Sequence, residues 1–135
     1  MKKLKLEAII SNIAPVTDWV NEELDLHDCP VKLQLQIDIA IDEIITNIAS
    51  YAYGSGSGDF TVEADVQEEP RLIRLRFSDS GIPFDPLQKA DPDTSLSAED
   101  RQIGGLGIYL VKKTMDEVRY EYSDNQNILT VVKYF

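Results

Sequence analysis

The stretch from Val31 to Ala52 constrains the fold more than any other, because its apolar residues fit two periodicities at once. Val31, Leu33, Leu35, Ile37, Ile39 and Ile41 alternate with polar residues, the period-2 signature of a strand. Leu33, Ile37, Ala40, Ile41, Ile44 and Ile48 also recur at helical spacing. The apolar run continues past residue 49, beyond an ordinary strand, so length favours one helix over about residues 31–52. On that helix Glu43 and Asn47 stand one turn apart on one face, roughly opposite the isoleucine stripe. The stripe can lie on a sheet while a carboxylate and a carboxamide face something else.

The rest of the chain supplies the sheet. Leu4, Leu6 and Ala8 alternate with Lys3, Lys5 and Glu7, which predicts an edge strand within residues 2–10. Ile13, Val16, Trp19, Val20 and Leu24 predict a helix over about 12–25, with Pro15 tolerated in its first turn. After the glycine-rich turn Gly54–Gly58, the alternations Phe60–Val66 and Leu72–Phe77 predict an antiparallel hairpin through Glu68-Glu69-Pro70. A segment poor in apolar residues runs from Ser78 to Ile103, long enough to expect a functional loop or lid. Gly104-Gly105-Leu106-Gly107 then opens a helix. Two strands, about 117–123 and 127–134, finish the chain, joined by Asp124-Asn125-Gln126-Asn127. One domain over residues 1–135 is expected, since no linker or repeat appears.

Composition narrows the chemistry. A formal charge of −11 repels phosphate backbones, which argues against direct nucleic-acid binding. The single cysteine, Cys29, excludes an internal disulfide and, even with the lone His27, any Cys/His metal cluster. Cys29 reads as an inert thiol and His27 as a surface side chain. No signal-like leader or 18-residue apolar span is present, so a cytoplasmic protein without a membrane partner is expected.

Three pieces carry candidate chemistry: Glu43 with Asn47, the turn Asp79-Ser80-Gly81, and the glycines before the third helix. Glycines at a helix start expose unpaired backbone N–H groups at the positive dipole end, which suits phosphate. An Asn oxygen is a hard ligand of the kind Mg²⁺ takes, and a carboxylate one turn earlier can accept a proton from an attacking hydroxyl or water. An Asp at a strand end can accept a hydrogen bond from a purine amino group, and the following Gly permits close approach. Taken singly, each piece is also an ordinary solvated face, turn or relief of strain. Neither a P-loop nor a dinucleotide-binding fingerprint is present.

In this order and separation the three pieces resemble the ATP-binding domain shared by gyrase, chaperone ATPases, histidine kinases and mismatch-repair ATPases. Within that superfamily the chain is most similar to the small anti-sigma factor serine/threonine kinases (RsbW-type). The resemblance runs from about Leu4 to Lys133. Glu43 through Asn47 match the N-box, Asp79 through Pro86 the first glycine box, and Gly104 through Val111 the second. It implies an α+β fold, a two-layer α/β sandwich of the Bergerat (GHKL ATPase) type. Its helices would lie on one face of a mixed, mostly antiparallel sheet. It also implies ATP and Mg²⁺ as cofactors. By carry-over Asn47 binds Mg²⁺, Asp79 reads the adenine amino group and Gly81 lets the base approach. Gly104, Gly105, Leu106 and Gly107 hold phosphates, and Glu43 is the catalytic base. Arg101 is a candidate contact to the γ-phosphate or substrate. One departure stands out: Tyr51-Ala52 occupies the region where the family often has His-Gly.

The expected function is an ATP-dependent protein serine/threonine kinase acting on an anti-sigma factor antagonist of STAS type, with a sigma factor as a further partner. The alternative is a nucleotide-dependent partner-binding module with little transfer activity. A histidine kinase output domain and a gyrase-type ATPase fit less well: no helical phosphoacceptor His precedes the domain, and no second domain follows it. A homodimer is suggested by the resemblance alone.

Overall fold

The computed structural model describes residues 2–88 and 105–135. Five strands form one sheet: β1 (Lys2–Glu7), β2 (Asp59–Glu68), β3 (Arg71–Asp79), β4 (Glu117–Ser123) and β5 (Gln126–Tyr134), in the order β1-β2-β3-β5-β4. The sheet, expected to be mixed and mostly antiparallel, is antiparallel in every pairing of its described strands. Among the described residues three α-helices share one face of it: α1 (Ile13–Leu26), α2 (Val31–Asn47) and α3 (Gly105–Thr114). The result is a two-layer α+β sandwich. None of the described helices is long and apolar enough to cross a membrane.

The conflict over residues 31–41 resolves as helix. Ile37, Ala40 and Ile41 of α2 are fully buried, whereas Leu35 and Ile39 are 56% and 44% exposed. A strand would have put Ile37, Ile39 and Ile41 on one face; the 100° step of a helix separates them. The buried stripe of α2 and Val16, Val20 and Leu24 of α1 pack on Phe60, Val62, Leu75 and Phe77 of the sheet. Each fully buried Ile or Leu contributes about 1.5–3 kcal/mol relative to exposure. Helix α2 does not stop at Asn47 but widens into a π turn, Ile48–Ala52. Pro15 is the third residue of α1, in the turn whose N–H groups have no helical acceptor.

Two hairpins set the strand register. The β2–β3 hairpin closes over Glu69-Pro70, with Glu68 opposite Arg71. The β4–β5 hairpin is tighter than expected. Asp124 and Asn125 both take left-handed backbone angles (φ 54° and 63°), which two-residue hairpin turns demand and which Asp and Asn tolerate. Ser123 therefore faces Gln126, and Asn127 lies in the ladder rather than in the turn. Cys29 is buried, and burial pushes its thiol up from the ordinary value, away from reactivity. His27 lies at the surface in a pair of contacts that the sequence does not show. It is half-buried, with Nδ1 on Glu68 and Nε2 3.4 Å from Glu23, tying α1 to β2.

The two readings of α2 give opposite mutational signatures. Ile41→Ala should cost about 2–5 kcal/mol in unfolding free energy, and Ile39→Ala less than about 1 kcal/mol, by urea denaturation. Equal losses at the two positions would contradict the helical burial.

Candidate functional site

The end of β3 carries a buried charge. Asp79 is 6% exposed, and burial of a carboxylate is costly unless its lone pairs are engaged. Its Oδ1 accepts the Gly81 N–H at 2.9 Å and Asn127 Nδ2 at 3.0 Å. Asn127, opposite Asp79 in the β3–β5 ladder, is 7% exposed. Its Nδ2 also donates to the Ile82 carbonyl at 2.8 Å. Its Oδ1 accepts the Phe84 N–H at 3.1 Å and the Tyr120 hydroxyl. Burial raises the Tyr120 phenol above its ordinary value, so it stays an O–H donor. One carboxamide thus binds together β3, the segment after it, β4 and β5.

The π turn forms the facing wall. The Ala52 carbonyl accepts the Ile82 N–H at 2.8 Å, and the Tyr51 ring leans on Phe84 with centroids 5.4 Å apart. Tyr51-Ala52 is therefore structural wall where the family often has His-Gly. Gly81 is held there by close packing: a Cβ would lie 2.1 Å from the Ala52 oxygen. The expectation that this glycine makes room for a base meets a nearer cause, since the backbone of the π turn already fills that space. Tyr53 anchors the same corner, donating to the Asp59 carbonyl and accepting the Ser80 N–H at 3.0 Å.

Between these walls lies an open pocket of about 430 Å³, counting the solvent at its mouth. Ile44, Ile48, Ile82, Phe84 and Leu129 give it apolar sides, and Asp79 and Asn127 lie at the strand ends. Asn47 also lines it, half-buried, and its side chain makes no hydrogen bond among the described residues. Oδ2 of Asp79 likewise accepts none among them. The described site therefore offers two free oxygens, one amide and one carboxylate, in an apolar cleft.

Glu43 stands apart. It sits one turn before Asn47, half-buried, and is not among the residues lining the pocket. Burial, and next the neighbouring charge of Asp42, raise its pKa above the ordinary carboxylate value. That makes it a stronger proton acceptor than a free glutamate.

The structure thus brings Asn47 and Asp79 to one pocket, with Gly81 behind its wall and Glu43 outside its lining. Gly105, Leu106 and Gly107 form the first turn of α3, which packs beside α2. Arg101 and Gly104 lie outside the described residues, as does most of the expected lid. Of the Ser78–Ile103 segment, Ser78 and Asp79 belong to β3, and Pro86–Gln88 form a short 3₁₀ turn. Sequence reasoning missed Asn127 and Tyr120, and it named Tyr51 and Phe84 without the ring contact between them. The one available signal was the Asp124-Asn125 pair, which as a two-residue turn puts Asn127 into a strand.

Residues 6–133 match the family model of the histidine kinase-like ATPase domain. The serine/threonine-protein kinase BtrW of Bordetella bronchiseptica is 26% identical over 132 residues, 97% of this chain and 92% of the relative. The serine-protein kinase RsbW of Listeria monocytogenes is 35% identical over 98 residues, 69% of this chain. That match spans only 61% of the RsbW length. Among solved structures, the histidine kinase domain of a blue-light activated histidine kinase from Erythrobacter litoralis superposes with a TM-score of 0.56 at 14% identity. It covers 93% of this chain and 60% of that one, a likeness of fold. The order of the strands, the one-sided helix layer and the family match over nearly all of its length agree: the chain belongs to the histidine kinase-like ATPase domain family.

Proposed function

We propose that the chain binds ATP with Mg²⁺ and transfers the terminal phosphate to a serine or threonine hydroxyl of a protein partner. The observation that carries this reading is the pocket holding Asp79 Oδ2 and Asn47 as free acceptors between apolar walls, in a domain of this family. An acceptor-only carboxylate suits the amino group of adenine. The aromatic and aliphatic walls suit the base faces.

Asn47 fits Mg²⁺ by donor type, a hard amide oxygen free of other bonds. No group of three or more His, Cys, Asp or Glu among the described residues could hold a metal. When bound, Mg²⁺ would neutralise charge on the phosphates, which matters in a protein of net charge −11. Glu43 takes the proton from the attacking hydroxyl as its oxygen bonds to the γ-phosphorus and ADP leaves. Phosphate oxygens are assigned to the backbone N–H groups of Gly105, Leu106 and Gly107 in the first turn of α3, and, from the sequence alone, to Gly104 and Arg101.

The relatives' designation as serine and serine/threonine kinases supports a protein hydroxyl as acceptor. We assign the acceptor to an anti-sigma factor antagonist of STAS type and add a sigma factor as a second, sequestered partner. The second reading is a module that holds its partner in a nucleotide-dependent way without transfer.

Glu43→Gln separates the two. Phosphate transfer from radiolabelled ATP to a candidate antagonist should fall about 10²- to 10⁴-fold, with ATP affinity unchanged. Transfer at the unsubstituted rate would remove Glu43 from the mechanism. Asp79→Asn should weaken ATP binding about tenfold or more in calorimetry, the scale of a hydrogen bond to a charged group.

Glu43→Gln also has a stability signature. Because the folded pKa is raised, the folded protein keeps a proton that the unfolded chain loses between the ordinary and the raised value. Stability therefore falls as pH climbs through that window, and the cost of the buried charge is complete above it. The variant should melt no lower than the unsubstituted protein at neutral pH, and any advantage should vanish below the ordinary carboxylate pKa. A lower melting temperature at neutral pH would contradict a desolvated Glu43.

A further inference from the structure

We propose that Asn127 is a positioning residue that sets the base selectivity of the pocket, by fixing which oxygen of Asp79 faces the ligand. The inference rests on the ATP-site reading and extends it to the choice between 6-aminopurine and 6-oxopurine nucleotides.

A carboxamide has two N–H donors and two oxygen lone pairs. Asn127 uses both donors, on Asp79 Oδ1 at 3.0 Å and the Ile82 carbonyl at 2.8 Å. It uses both lone pairs, on the Phe84 N–H at 3.1 Å and the Tyr120 hydroxyl. Nothing on Asn127 is left for a ligand, so its influence passes through Asp79. The network also fixes the orientation of the amide. Flipped, its oxygen would face the Asp79 carboxylate and the Ile82 carbonyl, and its NH₂ would face the Phe84 N–H.

Asp79 is constrained in turn. Its Oδ1 is taken by Asn127 and by the Gly81 N–H at 2.9 Å, leaving Oδ2 as the acceptor free for a ligand. An amino group on the base meets that oxygen with a donor. A ring carbonyl in the same place meets it with another lone pair and leaves a buried charge unpaired. With Asn127 gone, the carboxylate keeps one anchor of two, and the Ile82–Phe84 segment loses its two hydrogen bonds to the carboxamide while keeping the Ile82 N–H on the Ala52 carbonyl. A carboxylate free to turn and to take up water discriminates less.

ATP and inosine triphosphate differ along one edge of the base, an amino group beside an N1 acceptor against an oxo group beside an N1–H, so their affinities for the full chain read the effect by calorimetry. The unsubstituted protein should prefer ATP by about tenfold or more. In Asn127→Ala the preference should shrink to within about threefold, with the loss falling on ATP. General damage to the pocket would weaken both nucleotides alike and leave the ratio in place, which overturns the proposal. Should Asn127→Ala fail to fold, Tyr120→Phe removes one hydroxyl from the Asn127 carboxamide and should lower the ratio about twofold or more. An unchanged ratio there overturns the proposal as well. Absence of ATP binding by the unsubstituted protein overturns instead the functional reading beneath it.

Discussion

A single buried hydrogen bond, from the Asn127 amide to the Asp79 carboxylate, lets a charge sit at the end of β3 inside an apolar layer. Its energetic weight lies in what breaking it would leave behind. Each orphaned buried donor or acceptor costs about 1–3 kcal/mol, and Asn127 engages four partners. Against a total stability of about 5–15 kcal/mol, the network is a large share of the fold held by one side chain. It also joins the two hairpins at the pocket end of the sheet, so the shape of the cleft and the cohesion of the strand ends are the same property.

Helix α2 has a double role that follows from its angular spacing. Its isoleucines seat it on the sheet, and the ridge through Glu43 and Asn47 leads away from that contact toward the cleft. The π turn that extends it changes the helical pitch where Tyr51 must reach Phe84 and the Ala52 carbonyl must reach Ile82. Such widened turns recur at functional sites because they re-aim side chains without ending the helix. Here the re-aiming produces a wall, and Gly81 is small so that this wall can close.

Much of the fold was legible in the sequence. Period and length together identified α2, the two hairpins and the edge strand. Glu43, Asn47 and Asp79 could be nominated from spacing and strand-end position. The wall of the pocket could not, because Tyr51 and Phe84 meet through a π turn and an irregular segment, neither of which has a sequence period. Asn127 was hidden by an ambiguity of one turn. Four consecutive polar residues read as a loop, yet only Asp124 and Asn125 make the turn, and the next two already belong to β5. The contact of His27 with Glu68 was hidden for a related reason: a polar neighbourhood in sequence says nothing of the glutamate that another element brings to it.

The two-residue turn between β4 and β5 acts on the cleft from a distance. Side chains alternate across a strand, so one residue added to or removed from that turn, with the β3 pairing shifted to match, would swap the faces of β5. Removal would set Ile128 over Asp79 in place of Asn127, a hydrocarbon against a buried carboxylate. The length of a remote turn is thereby part of the ligand chemistry.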